Sequence, residues 1–149
     1  MPNPSATIPL TLERMVQRFQ QVSDPKRKYE HLLCLAKRLP EFPASAKVGA
    51  NKVMGCVSQV YITARLEDGK VAFQGDSDAQ ITKGLVALLI EGLNGSAPLE
   101  IQQLTPDFIK ITGFDISLTP SRSNGFYNIF QFMQRKATAC QFADVPSLH

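Results

Sequence analysis

The chain contains few cysteines and histidines, with three cysteines and two histidines among 149 residues. Cys34, Cys56 and Cys140 are odd in number and widely spaced, so they do not resemble the framework of a disulfide-rich secreted protein. A zinc or iron–sulfur site needs three or four ligands, often with two cysteines close together, and the sequence has no such pair. We therefore expect a cytoplasmic protein that holds no metal.

Long apolar segments and strongly basic segments are also missing. The longest apolar run, residues 85–90, is far shorter than the roughly 18 residues that span a membrane. The N-terminus lacks the basic and apolar regions of a secretory signal. The formal net charge of +3 is too small, and the longest basic run, residues 26–28, too short, to indicate nucleic-acid binding. We expect neither a membrane nor a nucleic acid as partner.

The length fits a single domain over residues 1–149, with a loose lead-in over 1–10 and an uncertain tail over 137–149. Helical spacing of apolar residues predicts a first helix capped by Thr11. Asp24 and Pro25 predict the start of a second helix, which ends near Pro40. Its predicted apolar stripe consists of Tyr29, Leu32, Leu33 and Ala36.

The period of the apolar pattern then changes from that of a helix to that of a strand. Alternation over 58–66, the turn residues Asp68 and Gly69, and a return over 70–74 predict an antiparallel hairpin. Ser77 or Asp78 is expected to cap a third helix. Two short helices and a final helix from Pro120 follow, the last bearing Phe126, Ile129, Phe130 and Met133. Helices, one hairpin and further helices indicate an α+β fold.

Gly55 and Cys56 form the candidate functional pair, at the mouth of the hairpin. Glycine supplies backbone angles that other residues resist, so it can display a cysteine on a tight turn. The thiolate form of such a cysteine is a nucleophile. The alternative is that Cys56 is an ordinary core residue, because unpaired cysteines are among the most buried residue types.

Other chemistries find less support in the sequence. A Cys–His hydrolase needs an imidazole as general base, but His31 is expected to face solvent and His149 is the last residue. Residues 75–78 lack the lysine and second glycine of a phosphate-binding loop, so a helix cap is the better interpretation. Gly125 in the last helix costs about 1 kcal/mol relative to alanine. It indicates either a close backbone approach or a frayed helix start.

Four motifs in this order resemble the SufE family of sulfur-acceptor, or cysteine desulfuration, proteins. The resemblance covers about residues 28–136, and its motifs are Leu39-Pro40, Gly55-Cys56-x-Ser58-Gln59-Val60, Gly75-Asp76-Ser77-Asp78-Ala79 and Thr119-Pro120-Ser121-Arg122-Ser123-Asn124-Gly125. The resemblance implies a small antiparallel sheet with helices packed on one face, as in iron–sulfur scaffold proteins. Two departures are Val57, where the family usually has glutamine, and Tyr61, where it usually has tryptophan.

The resemblance also implies the activity and the residues that carry it. Cys56 would take persulfide sulfur from a SufS-like, pyridoxal-phosphate-dependent cysteine desulfurase, stimulate that enzyme and pass the sulfur toward an iron–sulfur scaffold. The pyridoxal phosphate belongs to the partner, so the chain is expected to have no cofactor of its own and to act as a carrier rather than a stand-alone enzyme. The residues implied to shape the loop or contact the partner are Gly55, Ser58, Gln59, Asp76, Ser77, Asp78, Arg122 and Asn124.

Persulfide chemistry adds expectations about the resting protein. A persulfide is easily reduced or oxidised, so we expect Cys56 to be mostly buried in a shallow apolar cavity. Met54 and Val57 would then shield it, and Arg122 is the cation that could approach the thiol. Two alternatives remain, an iron–sulfur cluster scaffold and a redox sensor in which Cys56 pairs with another cysteine.

Overall fold

A computed structural model of the chain describes residues 8–56, 58–111 and 120–143. Within these residues, two α-helices, two strands and four further α-helices follow in the predicted order, with two short 3-10 turns before the first strand. In chain order the elements are α1 (Leu10–Gln21), α2 (Pro25–Arg38), β1 (Val60–Glu67), β2 (Lys70–Ser77), α3 (Gln80–Leu93), α4 (Pro98–Gln102), α5 (Asp107–Ile111) and α6 (Pro120–Ala143).

The predicted hairpin is present, and its register pairs Val60 with Ser77 and Glu67 with Lys70. Asp68 and Gly69 both adopt positive φ, at 54° and 78°, as the two-residue turn between twisted strands requires. The second strand is longer than predicted and reaches Ser77 instead of ending at residue 74. Residues 75–77 pair with residues 60–62 at the start of β1. The hydrogen-bonded ladder therefore continues to Ser77.

The core lies between the hairpin and the helices, with α3 at its centre. Residues 84–90 of α3 are all buried, because α2 covers one side of the helix and β2 the other. The last helix, α6, packs on β1 through its buried apolar residues. An antiparallel two-stranded sheet with helices packed against it confirms the α+β prediction.

The second helix begins as predicted, since Asp24 Oδ1 accepts a hydrogen bond from the backbone N–H of Lys26 at 3.1 Å. Its buried face differs from the predicted stripe: Leu35 is buried and Leu33 is 36% exposed. The expectation that His31 faces solvent is wrong. Its ring stacks on Phe19 of α1 with 4.5 Å between centroids, so an aromatic side chain of α1 covers this side of α2. Burial, with help from nearby arginines, lowers the pKa of His31.

Two predicted helix caps are wrong. The first helix begins at Leu10, so Thr11 lies inside it, and no side chain caps its start. The third helix has Ala79 at its N-cap, also without a side-chain cap. Ser77 Oγ instead accepts a hydrogen bond from the Ala79 N–H at 3.2 Å. Asp78 is used elsewhere, because its carboxylate is bound by the loop that carries the candidate cysteine.

The last helix continues beyond residue 136, where the sequence pattern was uncertain, and ends at Ala143. Its length places Cys140 in a buried position near the C-terminal end of the helix. Residues 1–7 of the predicted lead-in and 144–149 of the predicted tail lie outside the described residues. None of the helices in the described ranges combines the length and apolar character that crossing a bilayer requires.

Candidate functional site

Cys56 follows a tight turn formed by Met54 and Gly55 and precedes the start of β1 at Val60. Gly55 has φ of +84°, a conformation that favours glycine. The turn begins where the Val53 N–H donates a hydrogen bond to the Val60 carbonyl at 2.8 Å. The chain thus folds back on the start of β1, and Cys56 is placed at the edge of the sheet.

The thiol of Cys56 packs against the first part of α6. Its Sγ lies 3.8 Å from the Gly125 carbonyl oxygen, which accepts a weak hydrogen bond from the S–H group. A Cβ atom on Gly125 would lie 3.7 Å from this sulfur, so a methyl would touch it and a longer side chain would compete for its space. Of the two interpretations of Gly125, the structure does not bear out the frayed start, because α6 already begins at Pro120. The thiol lies at an ordinary contact distance from Gly125.

Cys56 is half-buried at the margin of the core, not mostly buried as expected from the sequence. The expected shield is incomplete as well: Met54 is 75% exposed, since the turn directs it away from the body of the domain. Val57 lies outside the described residues. The remaining burial raises the pKa of the Cys56 thiol, because a thiolate there would be poorly solvated. The resting group is therefore a protonated, weakly nucleophilic thiol.

The raised pKa predicts the pH dependence of Cys56 alkylation. The rate constant for iodoacetamide follows the thiolate fraction, so its midpoint in the folded protein should lie at higher pH than in the same protein unfolded in denaturant. Mass spectrometry of the Cys56 peptide over a pH series measures both midpoints. Coincident midpoints would contradict a desolvated thiol.

The raised pKa of Cys56 also determines how the stability of the folded protein depends on pH. The folded state holds the Cys56 proton more tightly than the unfolded state, because the folded pKa is raised. The thiol therefore contributes to stability below its unfolded pKa, and this contribution is lost as the pH rises through the folded pKa. Cys56→Ser should remove this part of the pH dependence of unfolding.

The residues after Cys56 are tied to the start of α3. Ser58 Oγ donates to Thr82 Oγ1 at 3.2 Å. The Gln59 N–H donates to Asp78 Oδ1 at 2.9 Å, and the Asp78 N–H donates to the Gln59 carbonyl at 3.2 Å. Gln59 and Asp78 thus form a reciprocal pair that fixes the end of the cysteine loop. This arrangement shapes the loop that carries Cys56.

Asp76 lies on the same side of the domain and is held by two cations. Its carboxylate oxygens are 3.2 Å from Lys47 Nζ and 3.4 Å from Lys83 Nζ. The pair with Lys47 joins β2 to the segment before the cysteine turn, and the pair with Lys83 joins it to α3. Asp76 therefore connects the surroundings of the loop without touching the thiol.

The motif at the start of α6 reaches the cysteine through the backbone carbonyl of Gly125. Asn124 is exposed, and its side chain makes no hydrogen bond to another described residue. The backbone of Arg122 is helical, but its side chain lies outside the described residues, so its predicted approach to the thiol stays a prediction. Ser77 is buried, and its hydroxyl binds the Ala79 N–H just before α3.

Sequence analysis missed Asn128, whose Nδ2 donates a hydrogen bond to the Gly55 carbonyl at 3.1 Å. It lies three residues after Gly125, and residues at this spacing share one face of a helix. The spacing could have drawn attention to Asn128 once Gly125 was linked to Cys56. Within the described residues, no three histidine, cysteine or carboxylate side chains come together as a metal site would require.

Comparison with known proteins gives consistent results. The model of the family SufE, described as an Fe-S metabolism associated domain, matches residues 13–137. An uncharacterized SufE-like protein of Synechocystis is 64% identical over 137 residues, which cover 92% of this chain and 86% of that protein. A Plasmodium vivax protein named cysteine desulfuration protein SufE is 40% identical over 133 residues. These cover 86% of this chain but 53% of that protein, so the chain spans about half of the longer relative.

A solved structure supports the fold independently. The solution structure of a hypothetical protein from Thermus thermophilus superposes with a TM-score of 0.79 and 24% sequence identity. The match covers 91% of this chain and 98% of that protein, so the two share one fold over nearly their whole lengths. The family match extends over most of the chain and includes the cysteine turn, β1, β2 and the first part of α6. The chain belongs to the SufE family.

Proposed function

We propose that this protein is a sulfur acceptor, in which Cys56 takes persulfide sulfur from a SufS-like, pyridoxal-phosphate-dependent cysteine desulfurase. It stimulates that enzyme and delivers the sulfur to an iron–sulfur scaffold. The observation that carries the proposal is the placement of Cys56 directly after a glycine turn, with its thiol only half-buried. Membership of the SufE family supports it, as does the name of the Plasmodium relative.

The proposed reaction is an exchange between sulfur atoms. The Cys56 thiolate attacks the outer sulfur of the partner's persulfide, and the bond between the two persulfide sulfurs breaks. The partner's cysteine leaves as a thiolate and takes up a proton equivalent to the one that Cys56 gave up. Cys56 then carries the persulfide. The step needs no net oxidant or reductant, and the pyridoxal phosphate acts earlier, in the partner.

The resting site is arranged to limit unwanted reactions. Because the pKa of Cys56 is raised by burial, little thiolate is present while the thiol lies against Gly125. Attack on the persulfide then requires the thiol to leave this position or its surroundings to become more polar. A ligand shifts such an equilibrium only by binding one state better. The desulfurase would act as this ligand, by binding the state with the exposed thiol better than the resting state.

The exposed thiol of Cys34 also bears on the cellular compartment in which the protein works. Cys34 is unpaired and exposed on α2, and an exposed thiol persists in a reducing environment. We propose that the protein works in the cytoplasm, and an exposed unpaired thiol is compatible with such a reducing compartment.

A redox sensor that pairs Cys56 with Cys140 is poorly compatible with the fold. The sulfur of Cys56 lies beside Gly125, and Cys140 follows 15 residues later in the same helix, about 22 Å along its axis. A disulfide requires Cα atoms within about 7 Å. The two cysteines cannot be joined while α6 is intact.

Mass spectrometry tests the acceptor assignment. The protein is incubated with the desulfurase and free cysteine, and its peptides are then analysed without reduction. We expect the Cys56 peptide to gain the mass of one sulfur atom, while the peptides of Cys34 and Cys140 stay unchanged. An internal disulfide between Cys34 and Cys56 would instead favour the redox sensor. A cluster bound after reconstitution with iron and sulfide, and lost in Cys56→Ser, would favour the scaffold.

A further inference from the structure

A polar side chain of α6 contacts the turn before Cys56 in the described part of the chain. Asn128 Nδ2 donates a hydrogen bond to the Gly55 carbonyl at 3.1 Å. A Cβ atom on Gly55 would lie 2.7 Å from this nitrogen, closer than real Cβ atoms come. Glycine is therefore needed at this position for two reasons, the positive φ and the space that lets the amide reach the carbonyl.

The other anchors of this region lie on either side of the turn. Upstream, the Val53 N–H is bound to the Val60 carbonyl, and Lys136 Nζ donates to Asn51 Oδ1 at 2.8 Å. Downstream, the backbone of Gln59 is bound to Asp78. These contacts fix the ends of the loop but do not act on Gly55 or Cys56 directly.

The segment that leads to Cys56 runs antiparallel to α6. Lys136 contacts Asn51, Asn128 contacts Gly55, and Gly125 contacts Cys56, in opposite order along the two segments. The last of these contacts is weak, since a thiol is a poor donor and the distance is 3.8 Å. Among the described residues, Asn128 thus supplies the strongest contact that holds the turn itself against the helix.

We propose that Asn128 is a positioning residue for the sulfur acceptor: by binding the Gly55 carbonyl it holds the Cys56 thiol half-buried against α6, and its release exposes the thiol. Gly55 is exposed, so water can bind its carbonyl when the amide leaves, and the turn can open without an unsatisfied buried group. The opening is therefore a modest change in population and does not require the domain to unfold.

The first test uses the isolated protein and iodoacetamide. Asn128→Ala removes the donor, and Asn128→Leu removes it while keeping the size of the side chain. We expect Cys56 to be alkylated about 2- to 10-fold faster in both variants, the factor that corresponds to one neutral hydrogen bond. The matched control is Gln131→Ala, which removes an exposed amide from the next turn of α6.

Two other cysteines calibrate the measurement within the same molecule. Cys34 is exposed on α2 and reports the activity of the reagent, whereas Cys140 is buried in α6 and reports opening of the helix. Faster alkylation of Cys56 alone supports the proposal. Equal Cys56 rates in the parent and both Asn128 variants would overturn it. A parallel acceleration at Cys140 would overturn it too, because the cause would then be loss of the helix.

The second test rests on the proposed function. If the desulfurase binds the exposed form, the apparent affinity is reduced by the fraction of protein that is in this form. The half-saturating concentration of Asn128→Ala in the desulfurase assay should then fall by the same factor as the alkylation rate rises, at an unchanged maximal rate. An unchanged half-saturating concentration beside faster alkylation would overturn the link between Asn128 and docking.

The two proposals can fail separately. If the parent protein does not stimulate the desulfurase, the sulfur-acceptor function is wrong, but the alkylation rates still decide whether Asn128 holds the turn. If the parent stimulates the enzyme and the alkylation rates are equal, the acceptor function stands and the role of Asn128 is wrong.

Discussion

Replacing Cys56 by serine is expected to lower sulfide release by the desulfurase to the rate of that enzyme alone. A serine hydroxyl has no sulfur with which to accept the persulfide, so the turnover that depends on transfer is lost completely. The side chain is half-buried and makes one weak hydrogen bond, so the free energy of unfolding should change by less than about 1 kcal/mol. The measurement is sulfide release with and without the variant, accompanied by denaturant unfolding.

Cys34→Ser and Cys140→Ser are the matched controls for this experiment. Cys34 is exposed on α2, and Cys140 is separated from the Cys56 contact by most of α6. Both variants should keep most of the stimulation. Stimulation by Cys56→Ser at the level of the parent would refute the acceptor assignment, whatever the controls show.

Gly84→Ala is expected to produce the largest loss of stability. A Cβ atom at this position would lie 2.8 Å from the backbone carbonyl carbon of Leu32 and would overlap its oxygen. Alanine favours a helix by about 1 kcal/mol relative to glycine, but the methyl would force α2 and α3 apart, and overpacking of this kind costs roughly 1–3 kcal/mol or more. Because the clash is with backbone, we expect a net loss of about 2 kcal/mol, measured by urea unfolding.

The control for this substitution is Gly49→Ala in a short 3-10 turn before β1. A Cβ atom there would meet no other atom within 4 Å, so the change in unfolding free energy should stay within about 0.5 kcal/mol. For a chain of this length, the loss expected for Gly84→Ala corresponds to a melting temperature lower by roughly 4–8 °C. Equal unfolding midpoints for Gly84→Ala and Gly49→Ala would contradict this prediction, because α2 and α3 would then move apart with little loss of stability.

The elements that sequence analysis predicted correctly are those whose cause is local. Asp68 and Gly69 supply the two positive φ angles of the hairpin turn by themselves, and Asp24 caps α2 through a hydrogen bond two residues away. Some predictions were wrong because they depended on distant partners. Asp78 was expected to cap α3, but its carboxylate is bound by the Gln59 N–H, 19 residues earlier in the chain.

The sequence by itself determined the α+β order of elements, the family and the position of the candidate thiol, because periodicity, turn residues and motif order are properties of neighbouring residues. Only the tertiary structure decided the state of that thiol. Its half-burial, the direction of its pKa shift and the hydrogen bond from Asn128 to Gly55 arise where α6 packs on a turn 73 residues away. Contacts over such separations depend on how the helices meet the sheet, which no local pattern encodes.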